Sequence, residues 1–154
     1  MRRSTPLMIT ALAAASLLFA GACSSSSSSA SPAAGGSASG TESGKITIGS
    51  DQANDHGTED ATGKSSFEID ANNDAGFYFD PTILTGSASQ SITLEIKNEG
   101  TVPHNFSIES LGVDVTINPG SSQEVDVKFP PSGTVEFFCS FHRSLGMAGE
   151  LEVV

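Results

Sequence analysis

An all-β fold, a Greek-key sandwich of two sheets, is what this sequence predicts for residues 65–154. Three observations carry that expectation. Apolar and polar residues alternate over several runs; turn-forming clusters separate the runs at intervals of about ten residues; no segment carries a helical period of apolar residues. Short strands with one apolar face, joined by regular turns, bury that face by stacking as two sheets.

Lys45–Ser50 (KITIGS) alternates and reads as a short strand. Asp51–Lys64 (DQANDHGTEDATGK) is polar, contains glycine and has no period, so it reads as an exposed loop or extended arm. His56 lies there among Asp51, Asp55, Glu59 and Asp60 and is expected to belong to a solvated acidic segment rather than to a metal site. From Ser66 the pattern turns to β. Phe67 and Ile69 share a face, and GFYFDP is an aromatic strand ending at Pro81. SITLEIKN is the clearest run: Ile92, Leu94 and Ile96 face one way, Thr93, Glu95 and Lys97 the other, before the turn Asn98-Glu99-Gly100. Phe106 and Ile108 start another run. Val113, Val115 and Ile117 alternate up to Pro119-Gly120, then Val125, Val127 and Phe129. Val135, Phe137 and Cys139 are in phase, and Leu151 and Val153 close the chain, for seven or so strands in all.

The chain opens with Arg2 and Arg3, an apolar stretch from Leu7 to Phe19, and the small residues Ala20, Gly21 and Ala22 before Cys23. That is the layout of a secretory signal over residues 1–22, too short for a stable membrane-spanning helix. The cysteine after small residues resembles the bacterial lipobox, in which Cys23 becomes the lipidated N-terminus; Ala20 stands where that pattern has an aliphatic residue, and plain secretion is the alternative. The expected location is the extracytoplasmic face of the cell membrane. Residues 23–64 then form a lipid-attached linker and the polar arm. The first 21 residues after Cys23, rich in Ser, Gly and Ala, make a disordered tether with a mean reach on the order of 25 Å.

Signal cleavage would remove Arg2 and Arg3 and no acidic residue, moving the formal charge from −11 to −13. Such acidity excludes nucleic acid as a partner and favours basic ones, although solubility is an equally good reason for it. If Cys23 carries lipid, Cys139 has no disulfide partner in an oxidising compartment, and an odd exported cysteine requires an explanation: a free thiol, intermolecular pairing or a ligand.

The stretch FFCSFHRSLGMAGELEV places Cys139, His142 and Met147 within nine residues. If Val135 and Phe137 point into the sandwich, Cys139 does so too, at a strand end. His142 and Met147 lie on the connection to the last strand. His104, in TVPHNFSI, follows an earlier strand and its turn, hence a sheet end. Each residue taken singly has an ordinary structural explanation, as a small buried thiol, a hydrogen-bonding imidazole or a packing thioether. Together, two His and one Cys with a more distant Met describe a trigonal site with a weak axial ligand, which suits copper in electron transfer.

Residues 65–154 resemble the cupredoxins, the small blue copper proteins. The likeness rests on FDPTILTGSASQSITLEIKNEGTVPHNFSI and VEFFCSFHRSLGMAGELEVV, and the Cys-x2-His-x4-Met spacing is that of plastocyanin. The resemblance implies one type 1 copper ion held by His104, Cys139, His142 and the axial Met147. It implies that Asn105 and Ser140 tie the two ligand-bearing segments together and tune the sulfur. It also places the edge of His142 at the surface, in an apolar patch to which Phe141, Leu145 and Ala148 would contribute. Phe141 departs from the plastocyanin pattern, which has proline there, and the span from His104 to Cys139 is shorter than in plastocyanin. These departures bear on partner docking more than on the metal.

One loop cysteine excludes a binuclear thiolate-bridged copper centre, and no triad or acid–base pair points to substrate chemistry, so an enzyme is not expected. The expected function is a one-electron carrier, a monomer exchanging electrons with redox protein partners and tethered to the membrane by lipid. The alternatives are copper binding, storage or delivery without redox turnover, and a copper-free interaction module. Delivery favours Met-rich sites, and two of the three Met, Met1 and Met8, lie at the N-terminus; the complete ligand set argues against the module.

Overall fold

The computed structural model of the protein describes residues 44–154, which fold as twelve strands and two single turns of 3-10 helix. The expected signal segment, the tether up to residue 43 and Cys23 lie outside these residues. Among the described residues no helix is long and apolar enough to cross a membrane.

In chain order the strands are β1 (Gly44–Ile48), β2 (Asp51–Asp55), β3 (Thr58–Asp60), β4 (Ser66–Asn72), β5 (Tyr78–Asp80), β6 (Ile83–Gly86), β7 (Ser91–Asn98), β8 (His104–Ile108), β9 (Val113–Ile117), β10 (Ser122–Lys128), β11 (Thr134–Phe138) and β12 (Ala148–Val153). One sheet runs β10-β7-β4-β5, the other β3-β6-β12-β11-β8-β9, and β1 and β2 form a separate hairpin. The sheets are mixed: β4 runs parallel to β7, and β6 parallel to both β12 and β3.

The alternation read in SITLEIKN holds. Ile92, Leu94 and Ile96 are buried while Thr93, Glu95 and Lys97 are partly exposed, because β7 lies between β10 and β4 with one face on the second sheet. The core between the sheets centres on three rings, Phe79, Phe106 and Phe137, all fully buried. Phe79 meets both others edge-on, with centroids 5.6 and 5.3 Å apart, and Phe106 and Phe137 tilt together at 5.1 Å. Such aromatic pairs add to the area they bury. Phe106 stands two residues after His104 and Phe137 two before Cys139, so strand periodicity points both ligand candidates into the same interior.

The segment Asp51–Lys64 corrects the expectation of an exposed arm. It forms β2 and β3, and the folded unit begins before residue 65: Thr58–Asp60 pairs with Ile83–Thr85, and Ala53 and Ala61 are fully buried. The residues it buries are alanines among polar neighbours, and its strands are held by backbone pairing, so it carries no apolar period. His56 is not free in solvent either: its ring stacks flat on Tyr78, centroids 3.4 Å apart, with Nε2 buried.

On the outer face of the smaller sheet, Glu68, Glu95 and Glu124 lie directly abreast on β4, β7 and β10. Nearby, burial and the carboxylates of Glu99 and Glu68 push Asp70 up to about 6, and its Oδ1 has no hydrogen-bond partner. A raised carboxyl pKa weakens the fold once the group is charged, and the loss reverses as pH falls through 6 towards the unfolded value near 4. Asp70→Asn should therefore stabilise the protein by about 1 kcal/mol at neutral pH, a figure discounted for solvent screening of a partly exposed group. The gain should vanish below about pH 4. Urea midpoints at both pH values check this, and an equal gain at both would show that charge is not the cause.

Candidate metal centre

His104 is the first residue of β8, and Cys139 directly follows β11. His142 and Met147 lie on the connection from β11 to β12. This connection is a closed loop. The Cys139 amide donates to the Met147 carbonyl (3.0 Å), and the amides of Leu145 and Met147 donate to the His142 carbonyl (2.9 and 3.3 Å). The turn Arg143–Leu145 ends at Gly146, whose φ of 98° is in the left-handed region that glycine tolerates. Backbone closure thus sets Met147 beside Cys139, and both belong to the main core.

Three donor atoms converge. His104 Nδ1 lies 3.2 Å from His142 Nδ1, and Cys139 Sγ lies 3.4 Å from His142 Nδ1. The ligand atoms of His104, Cys139 and His142 all fall within 4.8 Å of one another. A metal bonded at roughly 2.0–2.3 Å to three such atoms at trigonal angles would space them by roughly 3.5–4 Å. The residues present therefore fit an ion. His104, Cys139 and Met147 are fully buried, while His142 is partly exposed. Burial and the neighbouring His142 push His104 down to about 4, and burial lowers His142 as well. Both imidazoles are neutral at neutral pH, the form that binds metal. One thiol, two neutral imidazoles and a buried thioether are the donor set of a type 1 copper site.

The environment of the sulfur is built by Asn105. Its backbone amide points at Cys139 Sγ (3.3 Å), and its Oδ1 accepts from the Ser140 amide (2.5 Å). Its Nδ2 donates to Ser107 Oγ and Asp114 Oδ1, both at 2.7 Å. Asn105 and Ser140 thus meet across the two ligand-bearing segments, although Ser140 contributes its backbone, which any residue but proline would supply.

Of the three residues expected in the surface patch, Phe141 (55% exposed) and Leu145 (52%) stand out from the protein, but Ala148 is buried. Ala148 starts β12 and pairs with Phe138, which turns its methyl inward against Ile48 and Ala53. Two neighbours of the site escaped sequence reasoning. Phe77 stacks on the His142 ring, centroids 4.1 Å apart and planes 19° off parallel. Asn54, on β2, bonds to the carbonyls of Leu145 and Phe77. Phe77 belonged to a run read as a strand, and Asn54 to the polar segment without a period; neither carries a sequence signal for the site. His56 does not join the donor cluster.

Comparison with known proteins agrees with this geometry. The cupredoxin-like domain family matches residues 13–153. Plastocyanin A/B of Petroselinum crispum is 30% identical over 90 residues, covering 52% of this chain and 91% of that protein. The chloroplastic plastocyanin of Pisum sativum is 33% identical over 92 residues, covering 52% of this chain and 54% of that protein. Among solved structures, auracyanin B matches with a TM-score of 0.50 at 23% identity, over 61% of this chain and 89% of that one, a likeness of fold.

Proposed function

The chain belongs to the cupredoxin-like domain family, and we propose that it is an extracytoplasmic carrier of single electrons, with one copper ion held by His104, Cys139, His142 and, axially, Met147. The observation that carries this reading is the convergence of one buried thiol with two neutral imidazole nitrogens, closed off by a buried methionine. Copper bound there would supply the one-electron change, with thiolate and imidazole as ligands suited to both of its oxidation states. The protein's residues do the rest. Backbone bonds within the loop and the Asn105 tie hold the donors in place, so little need move when the charge changes. Burial of His104, Cys139 and Met147 excludes water from three sides.

His142 is the way out. It is the one partly exposed histidine of the set; Phe77 stacks on it, and Phe141 and Leu145 surround it with exposed apolar surface. A small apolar contact suits a brief encounter with another redox protein. The acidic surface, with its row of Glu68, Glu95 and Glu124, adds salt-sensitive steering toward a basic partner. The chain works as a monomer. Acyl chains on Cys23 hold it at the membrane, since two or more chains anchor stably where one does not.

Adding one equivalent of Cu(II) should turn the metal-free protein intensely blue; a pale product overturns the proposal. Leu145→Glu should then slow electron exchange with protein partners about ten-fold, as expected for a charge set into an apolar contact. Its copper content and spectrum should stay as in the parent. Exchange at the parental rate with every partner would place the port elsewhere.

A further inference from the structure

We infer that the N-terminal hairpin Gly44–Asp55 is a positioning element of the metal site, and that Asn54 is the residue through which it acts. The backbone amide of Asn54 donates to the Gly146 carbonyl (2.9 Å). Its side-chain Nδ2 donates twice, to the carbonyls of Leu145 (3.0 Å) and Phe77 (2.8 Å). Its Oδ1 accepts from Lys45 Nζ (2.9 Å), which fixes which way the amide faces. One side chain therefore grips the turn between His142 and Met147, and also the backbone of the residue whose ring stacks on His142. The fit leaves no gap: a Cβ on Gly146 would lie 2.7 Å from Asn54 Nδ2.

Two further contacts attach the hairpin to the same loop. Arg143, next to His142, pairs through Nε with Asp51 Oδ2 (2.6 Å) and lies over the Phe138 ring at 4.0 Å. Beneath the hairpin, Ile48 and Ala53 form a small cluster with Phe138 and Ala148. Phe138 directly precedes Cys139, and Ala148 directly follows Met147. The hairpin thus packs on the chain neighbours of three of the four expected ligands while touching none of the donor atoms through Asn54. That is the arrangement of a brace. It keeps the loop closed with or without metal, and it keeps Phe77 seated on His142.

The spectroscopic arm of the test rests on the copper reading; the thiol arm does not. In the full-length, metal-free protein, alkylation of Cys139, followed by peptide mass, reports loop opening. Asn54→Ala should react about ten-fold faster, the factor for losing one to two side-chain hydrogen bonds. Asn54→Asp should behave alike, since it keeps the shape and the acceptor but loses both donors. Gln90→Ala is the control: it removes comparable bonds to Ala61, Lys64 and Ser87, none of them in the metal loop, and should leave the rate within two-fold. In the copper-loaded protein both Asn54 variants should shift the visible band and the reduction potential, and Gln90→Ala should not. An unchanged thiol rate in both Asn54 variants, or an equal rise in Gln90→Ala, overturns the brace. A faster thiol with parental band and potential also overturns it as an element of the metal site. A faster thiol in a protein that never turns blue supports the brace and removes the copper reading alone.

Discussion

Cys139→Ser should abolish the intense visible absorption of the copper-loaded protein while leaving the fold in place. The thiol is fully buried, receives the Asn105 amide and sits 3.4 Å from the His142 nitrogen. No other sulfur with an ionisable proton lies among the described residues. A serine hydroxyl stays protonated where a thiol ionises, so the strong charge-transfer donor is lost even if the ion still binds. The backbone bond between Cys139 and Met147 does not involve the side chain, so the loop should stay closed. Metal-free stability should change by no more than about 1–2 kcal/mol, because the Asn105 amide can still donate to the serine oxygen. Absorption titrations and urea unfolding of both proteins read the two effects separately. A serine variant that remains blue would assign the colour to another group.

Asn105→Ala should cost the metal-free protein about 2–4 kcal/mol. Asn105 is 2% exposed, and its side chain bonds to the Ser140 amide, Ser107 and Asp114 at once. Alanine leaves a peptide N–H and an Asp114–Ser107 pair short of a partner in a site that water does not easily reach. Ser140→Ala should lie within about 0.5 kcal/mol of the parent, because the bond uses the backbone. The contrast is the informative part: urea unfolding should separate the two variants clearly, and comparable losses would show that the Asn105 side chain is not the tie. In the copper-loaded form, only Asn105→Ala should move the visible band.

The sandwich could be read from the chain because its core strands bury one face, and burial of one face writes a two-residue period. Ile92, Leu94 and Ile96 show it, and so do Phe137 and Cys139. The metal loop could be read for a different reason. Cys139, His142 and Met147 lie so close in sequence that one turn between adjacent strands cannot scatter them, and His104 needed only to start a strand. Local geometry therefore decided the donor set.

What surrounds those donors depended on segments distant in sequence. β2 and β3 are polar strands whose segment buries only the alanines Ala53 and Ala61, so hydrophobic patterning marks it as loop; pairing of β3 with β6 and packing of Ala53 against Ala148 of β12 make it part of the fold. Phe77 covers His142, and Asn54 reaches Leu145 and Phe77, through contacts that no spacing rule links. Phe141 is exposed because the turn re-aims the chain between β11 and β12, where neither the strand period nor the helical one applies, and Ala148 is buried because it already pairs with Phe138 in β12 beneath the hairpin. Residue chemistry and short-range spacing are properties of the chain and state which ligands exist. Contacts between remote segments arise only when the sheets assemble, and they state how rigidly those ligands are held and which of them reaches the surface.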